Sequence, residues 1–417
     1  MAALAAAAFY LVLSGAEVAT QRSFIMIAIV LVGVMVDRLA ITLRTLTAAA
    51  IVVLLFTPEA IVHPSFQMSF AATVAMVAGY ERGMTWMSAA RDTPLGVRIA
   101  LWGGRTLVGL VVVSLLAGLA TTLFAAYHFH RLAPYGVIAN LIAMPVVSFW
   151  TMPWAIVGVV LMPFGFDGIA WWAMGLGIDW MIAIATWVAS LPGAVGRMAA
   201  FGVGPLLLGS AGLVVLCLLR SPLRLAGVAL LVIASVWAVR TPQPDVLVAA
   251  DGLTFAVRGA DGRLVIARGG SDTFAARQWL AADGDARAHT DATLGEGIRC
   301  DRAGCIGRLA DGTLIALARS IEAFEEDCRR AAVVASPRDA PEHCAALVID
   351  RKVLHRTGTI ALRRTADGFA MSAVRPPGYD RPWAQARPSP PASPATPTAR
   401  TPAPDATPRP EDLEPGD

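Results

Sequence analysis

Two histidines with one residue between them, His128 and His130, come nearest to a metal-binding pattern in this sequence of 417 residues. Paired imidazoles can bind zinc, but a zinc site normally needs further nitrogen, sulfur or carboxylate ligands. No carboxylate follows this pair within reach, and the pair lies at the end of an apolar run. We therefore interpret His128 and His130 as an interfacial pair and predict that the chain holds no metal.

The sequence also offers no catalytic motif. Lys352 is the only lysine, and it follows Arg351 instead of the glycine that a phosphate-binding P-loop requires. The remaining histidines of the C-terminal part are isolated from one another, and we find no Ser-His-Asp or Gly-x-Ser-x-Gly arrangement. We predict that the chain is not an enzyme and needs no cofactor.

Four of the five cysteines, all after residue 240, are candidates for disulfide bonds. Four cysteines allow three pairings. We choose Cys300–Cys305, which would close a hairpin, and Cys328–Cys344, which would tie a helix to a strand. The first pair could instead belong to a zinc site, but no second pair completes one. Disulfides indicate an oxidising compartment such as the periplasm, and Cys217, inside an apolar run, is interpreted as a small apolar residue.

The first 240 residues predict an all-α bundle of about nine membrane spans. Hydrophobic residues make up 56% of the chain and its mean hydropathy is +0.60, too apolar for an ordinary soluble domain. The predicted spans are residues 2–13, 23–36, 45–57, 66–80, 106–127, 135–161, 168–190, 203–219 and 223–239.

Arginines in the joints between these spans predict the orientation. Cytoplasmic joints are enriched in Lys and Arg. One side holds Arg38, Arg44, Arg82, Arg91, Arg98, Arg105, Arg220 and Arg224, and the other holds Arg22, Arg131, Arg197 and Arg240. The side with eight is therefore assigned to the cytoplasm, which places the chain after Val239 in the periplasm. Residues 85–105 additionally predict an amphipathic helix at the membrane surface, anchored by Trp86 and Trp102.

Polar residues and prolines inside the spans are candidates for lining a transport path. Asn140 precedes Pro145 by just over one helical turn, and Pro153 follows eight residues later. Each proline removes a helical hydrogen bond, so the pattern favours a broken helix, which a membrane tolerates only beside a cavity or packed on protein. Asn140 could equally join two helices by a hydrogen bond.

After residue 240 the pattern changes to short alternating segments. Asp261-Gly262 and Asp311-Gly312 each separate two strand-like runs and predict hairpins. We predict a small α+β domain over residues 241–374, called the C-terminal domain below. Residues 375–417 are rich in proline, alanine and threonine, and we predict a disordered tail.

Several of these segments resemble the competence domain of ComEC-type DNA-uptake proteins. The resemblance rests on Ser14-Gly15, on Gln21-Arg22-Ser23 and on Pro64-x-Phe66-Gln67-x-Ser69-Phe70. A second block, HFHRLAPYGVIANLIAMP over residues 128–145, is followed by Pro153, so the similarity spans residues 14–161.

This resemblance implies a bacterial inner-membrane channel for single-stranded DNA. Arg22, Gln67, Asn140, Pro145 and Pro153 would line or shape the path. The implied partners are single-stranded DNA, the lipid bilayer, a periplasmic DNA receptor, a cytoplasmic ATP-driven motor or helicase and further copies of the chain. Family members usually carry a soluble domain and more spans before the Ser14 motif, so we expect an N-terminally incomplete member.

The resemblance extends to the C-terminal domain in part. Many such proteins end in a metallo-β-lactamase-like domain with a His-x-His-x-Asp-His metal cluster, and the first hairpin here resembles its opening strands. The cluster itself is absent from the sequence, so a degenerate form of that fold is expected. Two other functions stay open: a secondary permease for a small solute, and a non-transporting membrane scaffold.

Overall fold

In the computed structural model, which describes residues 1–16, 18–36, 42–82, 95–267 and 273–376, the two predicted parts have different architectures. Residues before 240 are helical, whereas the C-terminal domain is built on β-sheets. Within the described ranges the helices of the first part are α1 (Ala2–Leu13), α2 (Val18–Met35), α3 (Leu43–Phe56), α4 (Pro64–Glu81), α5 (Leu95–Phe129), α6 (Gly136–Val146), α7 (Met152–Leu161), α8 (Gly168–Ser190), α9 (Val203–Leu218) and α10 (Leu225–Val239).

Four segments of this helical part are long and apolar enough to cross a membrane, among the residues that the structure describes. They are Thr106–Phe129, Gly136–Phe164, Gly168–Ser190 and Pro222–Val239. Shorter apolar helices occupy Ala2–Leu13, Ser23–Met35, Leu43–Phe56 and Val203–Leu218, and α4 coincides with the remaining predicted span. Helices thus occur wherever spans were predicted, while a total of nine crossings stays a prediction.

The predicted break between Pro145 and Pro153 is not a break, and this part of the prediction was wrong. The chain continues from α6 through a π-helical turn, Val147–Thr151, directly into α7. Prolines free backbone carbonyls, and a local change to π-helical winding can satisfy them again without ending the helix. The disruption is therefore absorbed as altered winding inside one long helix.

Small residues set the closest helix packing, between α9 and α10. A β-carbon added to Gly227 would lie 2.6 Å from the carbonyl oxygen of Gly212, and one added to Gly212 would lie 2.9 Å from the carbonyl oxygen of Gly227. Only glycine at both positions lets the two backbones approach so closely. Such small-residue contacts are typical of helix pairs in membranes.

The predicted surface helix over 85–105 is described only in part. Residues 85–94 lie outside the described residues, as does most of the predicted tail after Arg375. From Leu95 the backbone already belongs to α5, a helix of 35 residues that continues into the predicted span.

Two five-stranded sheets form the C-terminal domain. After the short strands β1 (Arg131–Leu132) and β2 (Gly196–Arg197) of the helical part, the strands and helices are β3 (Val246–Val248), β4 (Phe255–Arg258), β5 (Leu264–Ala267), α11 (Phe274–Asp283), β6 (Arg299–Cys300), β7 (Gly304–Arg308), β8 (Leu314–Ala318), α12 (Ala323–Arg330), β9 (Val333–Ala335), β10 (Leu347–Ile349), α13 (Arg351–Thr357), β11 (Ile360–Thr365) and β12 (Gly368–Ala373). One sheet has the order β12-β11-β3-β4-β5, and the other has the order β10-β9-β8-β7-β6.

The two sheets face each other across a hydrophobic core, and helices cover their outer faces. Val257 and Ile360 of the first sheet pack with Leu317 and Val333 of the second. Because side chains alternate along a strand, the opposite faces carry separate clusters, one with α11 and one with α12. The order is thus helix, sheet, sheet, helix. The two predicted hairpins are confirmed, since β4 pairs with β5 and β7 pairs with β8 around the Asp-Gly turns.

The structure contains both expected disulfide pairs. Cys300 is bonded to Cys305 across the β6–β7 hairpin, where the two residues are direct partners. Cys328 of α12 is bonded to Cys344. Cys217, the buried free cysteine, lies in α9.

Candidate functional site

A hydrogen bond between Gln67 and His128 joins the two sequence blocks that are far apart in the chain. Gln67 Oε1 lies 2.8 Å from His128 Nε2, and Gln67 Nε2 donates to the carbonyl oxygen of Ile61 at 2.9 Å. A carbonyl can only accept, so the amide nitrogen is committed to Ile61 and the amide oxygen faces the imidazole. His128 Nε2 is therefore the donor, and the Nδ1 atom of the neutral ring keeps its lone pair.

Local structure fixes both partners at the same end of two packed helices. Pro64 begins α4, where its missing N–H is not needed, and His63 Nδ1 accepts from the backbone N–H of Ser65 at 3.3 Å. Gln67 follows in the first turn of α4, and His128 lies in the last turn of α5. The body of the two helices packs in one cluster around Ala75 and Phe124.

Immediately after α5 the chain enters a short antiparallel ribbon. Its strands are β1 (Arg131–Leu132) and β2 (Gly196–Arg197), and Arg131 is the direct partner of Arg197. Like charges placed directly opposite each other destabilise a strand pair. The ribbon therefore concentrates positive charge next to the Gln67–His128 bond at a cost in stability.

The same ribbon contacts the C-terminal domain. A guanidinium nitrogen of Arg197 donates to the carbonyl oxygen of Asp285 at 2.9 Å. The backbone N–H of Ala200 donates to the carbonyl oxygen of Ala282 at 2.6 Å, close to Gly284, which ends α11 with a φ of 71°. The domain is thus hydrogen-bonded to the segment that continues from His128.

A half-buried ion pair stabilises the domain side of this contact. Arg287 donates to Asp285 Oδ2 from two guanidinium nitrogens, at 2.9 and 2.6 Å, and also to the carbonyl oxygen of Leu264 at 2.6 Å. Burial alone would raise the pKa of Asp285, but the hydrogen bonds and charge of Arg287, together with the charge of Arg263, outweigh it and lower the pKa. Asp285 therefore stays ionised and its segment stays fixed.

At the other end of the bundle, Arg82 caps α9. Its guanidinium donates to the carbonyl oxygens of Leu216, Cys217 and Leu219 at 2.9, 2.5 and 2.8 Å. These are the unpaired carbonyls of a helix C-terminus, which favour a positive partner. Arg82 therefore joins the end of α4 to the end of α9.

The other predicted path residues lie apart from the Gln67–His128 bond. Asn140 and Pro145 are exposed on α6, and Pro153 is exposed at the start of α7. In the described part of the chain the Asn140 side chain makes no hydrogen bond. Arg22 falls in α2, and its side chain lies outside the described part. Their roles stay predictions.

Sequence reasoning missed the contacts around the π-helical turn. Trp150 Nε1 donates to the carbonyl oxygen of Ala173 in α8 at 2.8 Å, and its ring lies 5.4 Å from that of Trp180. A β-carbon on Gly177 would come within 2.7 Å of Trp150. The tryptophan and glycine spacing was visible in the sequence, but nothing in it indicated π-helical winding.

No three His, Cys, Asp or Glu side chains lie close enough to share a metal ion among the described residues. His130 follows α5 with a φ of 55°, and its Nδ1 atom is buried without a hydrogen-bond partner in the described part. His128 therefore lies in the last turn of α5 and is bonded to Gln67, and His130 lies in the turn that follows the helix.

Comparison with known proteins decides the family. The sequence profile of the competence protein family matches residues 1–223, more than half of the chain. The chain belongs to the competence protein family. This competence protein is 27% identical over 186 residues to the ComE operon protein 3 of Bacillus subtilis (strain 168), covering 44% of the chain. The matched segment spans 22% of that relative. No solved structure matches the chain.

The matched residues include every segment on which the resemblance to ComEC-type proteins was based. They also include α4, α5 and the β1–β2 ribbon. The Gln67–His128 bond therefore lies inside the region shared with the family, whereas the C-terminal domain lies outside it.

Proposed function

We propose that this protein is an inner-membrane channel component that takes up single-stranded DNA during natural transformation. The observation that carries the proposal is the Gln67–His128 bond, which joins the two family-like blocks at one end of the bundle. Membership of the competence protein family and the apolar helices support it. DNA is accordingly the proposed substrate.

The proposed topology places the C-terminal domain in the periplasm, after nine spans over residues 1–240. The arginine distribution and the two disulfides support this orientation. A reporter that is active only after export should be active when fused after Asp251 and inactive when fused after Ser221. The reverse pattern would overturn the topology.

The proposed C-terminal domain, residues 241–374, is a degenerate relative of the metallo-β-lactamase-like fold and is not a nuclease. Its helix–sheet–sheet–helix layers support the first statement, and the missing His-x-His-x-Asp-His cluster supports the second. The purified protein should leave DNA intact with zinc, manganese or magnesium added. Metal-dependent cleavage would overturn this assignment.

Transport would require partners, because each phosphate moved into a negative interior costs ~2.3 kcal/mol per 100 mV. We propose a cytoplasmic ATP-driven motor or helicase to supply that energy and a periplasmic receptor to deliver the strand. Several copies of the chain would assemble in the bilayer. Co-purification from competent cells after crosslinking would identify these partners.

Arg22, Gln67, Asn140, Pro145 and Pro153 are the proposed path residues. Asn140→Leu removes the exposed amide of α6, and we expect it to abolish uptake of labelled DNA at normal membrane abundance. Asn140→Cys should react with a membrane-impermeant thiol reagent, and more slowly while DNA is in transit. Normal uptake with no labelling would leave Asn140 as a packing residue.

The decisive test is uptake of labelled DNA in a strain that lacks the gene. Expression of this chain should restore uptake, and Gln67→Met should restore at least fivefold less of it. Thr121→Val removes a hydroxyl whose bonds to described residues lie within α5 and should restore uptake like the wild type. Failure of the wild-type chain, or solute flux through it in proteoliposomes, would contradict a DNA channel.

A further inference from the structure

A large cleft opens on the C-terminal domain beside its second sheet. Its volume is about 1080 Å³, slightly above the usual range for small-molecule pockets. The β4–β5 turn, the segment before β6, the β7–β8 hairpin and α12 form its walls. None of these elements belongs to the region matched by the competence protein family.

Three arginines in the cleft wall have no assigned role in the fold. Arg263, Arg299 and Arg308 are exposed, and within the described ranges their guanidinium groups make no hydrogen bond or ion pair. By contrast, Arg287 is held by Asp285, and Arg330 is paired with Glu326. The charge of Arg263 helps to lower the pKa of Asp285, but a guanidinium group that no hydrogen bond holds among the described residues is available to a ligand.

Sheet geometry places two of these arginines on one face. Arg299 is the direct partner of Ile306, and Arg308 is the direct partner of Leu314. Opposed residues share a face, and alternate residues of β7 share it as well. That face is the one that α12 covers over Ala316, but β6 and the outer part of β7 remain open. The guanidinium groups of Arg299 and Arg308 therefore project from the part of this face that α12 leaves uncovered.

The acidic residues that line the cleft do not cancel its positive charge. Glu326 is paired with Arg330, and Asp327 is buried, which raises the pKa of its carboxyl and favours the neutral form. Asp261 accepts the backbone N–H of Arg263 in the turn, and Glu296 is exposed. Five arginines and four carboxylates line the cleft, so the formal charge of its lining is +1.

Positive groups continue from the cleft to the membrane part. Arg287 in the cleft wall binds Asp285, whose carbonyl accepts from Arg197. Arg197 is paired in the ribbon with Arg131, directly after the turn that contains His128 and His130. A phosphate chain lying along this series would relieve the repulsion between the two ribbon arginines.

We propose that this cleft, with Arg263, Arg299 and Arg308 as its ligand-binding residues, holds the phosphate backbone of single-stranded DNA before the strand reaches the ribbon. Guanidinium forks match phosphate oxygens in two parallel hydrogen bonds and contact them whatever the base. The cleft therefore binds without sequence preference and does no chemistry. The inference rests on the proposed function for the choice of ligand, and it assigns a role to a domain outside the family match.

Salt dependence gives the measurement. For single strands, the logarithm of the binding constant falls with the logarithm of the salt concentration by ~0.7 for each phosphate contact. Three contacts give a slope of about −2, or roughly a 20-fold loss of affinity between 50 and 200 mM salt. Binding of a fluorescent 20-nucleotide strand of mixed sequence to the full chain in nanodiscs would be followed by anisotropy at four salt concentrations.

The test variant is Arg263→Gln/Arg299→Gln/Arg308→Gln in one chain. We expect it to bind at least tenfold more weakly at 50 mM salt and to lower the magnitude of the slope by about 2. The matched control replaces Arg277, Arg302 and Arg363 by glutamine, which removes the same charge from exposed positions outside the cleft. Its affinity and slope should equal those of the wild type.

Three outcomes would overturn the proposal. They are an unchanged slope in the cleft variant, an equal change in both variants, and displacement of the strand by a polyglutamate peptide at matched charge. Far-ultraviolet circular dichroism and protection of the four disulfide cysteines from thiol reagents establish that the variants are folded. Uptake in the deletion strain reports separately on the proposed function. Failure of the wild-type chain to restore uptake would overturn the proposed function alone, and a normal slope in the cleft variant would overturn this inference alone.

Discussion

The Gln67–His128 bond can be tested by a double-mutant cycle. Gln67→Met keeps the shape of the side chain and removes its amide, while His128→Leu removes the imidazole. The third variant combines both changes. Both single variants lose this bond. The interaction energy of the cycle, which is the stability loss of the double variant minus the sum of the two single losses, therefore measures the bond.

The structure sets the expected magnitudes. Gln67 makes two hydrogen bonds, at 2.8 and 2.9 Å, and each neutral bond is worth about 0.5–1.5 kcal/mol net. Gln67→Met should therefore cost about 1–3 kcal/mol, and the interaction energy of the cycle should be about 1 kcal/mol. One kcal/mol corresponds to a fivefold change in a population ratio. Either single variant should therefore lower the population in which α4 and α5 are joined at Gln67 and His128 about fivefold.

Two readouts separate stability from function. Thermal unfolding of the detergent-solubilised proteins should show a lower midpoint for each single variant and little further loss for the pair. Uptake of labelled DNA should fall at least fivefold in all three variants, at equal membrane abundance. Thr121→Val is the control, since among the described residues the Thr121 hydroxyl bonds to carbonyl oxygens of α5 itself, at 2.9 and 3.1 Å.

Strict additivity of the two single variants would refute the argument. It would mean that Gln67 and His128 contribute independently and that their contact does not join α4 to α5. Uptake equal to wild type in the double variant would likewise show that the bond is not needed for transport.

Replacing Cys328 and Cys344 by serine should destabilise the C-terminal domain by about 3 kcal/mol, because loops of that length cost about this much in the chain-entropy model; urea unfolding at an unchanged midpoint would contradict it. Burial, with two carboxylates nearby, raises the pKa of Asp327. The folded carboxyl then binds its proton more tightly than the unfolded one, so its contribution to stability is complete below the ordinary aspartate pKa and is lost as pH rises through the folded value. Asp327→Asn should therefore stabilise the protein at pH 7, with a gain that shrinks toward pH 4; a gain independent of pH would argue against burial as its cause. Arg82→Gln should lower stability by about 1–3 kcal/mol through its lost bonds to three carbonyls, and Arg82→Lys should recover only part of it, as unfolding midpoints would show.

The sequence by itself determined the features that depend on composition and local pattern. Apolar runs placed the helices before residue 240, because length and hydropathy are properties of a contiguous segment. The Asp-Gly turns placed two hairpins of the C-terminal domain, and cysteine spacing supported the pairs that the structure contains. The family-like blocks were visible as short motifs before any contact was known.

Contacts between distant segments were decided only by the tertiary structure. Gln67 and His128 are 61 residues apart, and nothing in either segment indicates that the amide of one faces the imidazole of the other. The π-helical turn was missed because proline predicts a lost hydrogen bond but not how the surrounding helix compensates for it. The cleft combines residues from two sheets and α12, and strand pairing, not sequence spacing, brings its arginines together. Local rules fix which segments are helices and strands, whereas long-range packing fixes which of their side chains meet.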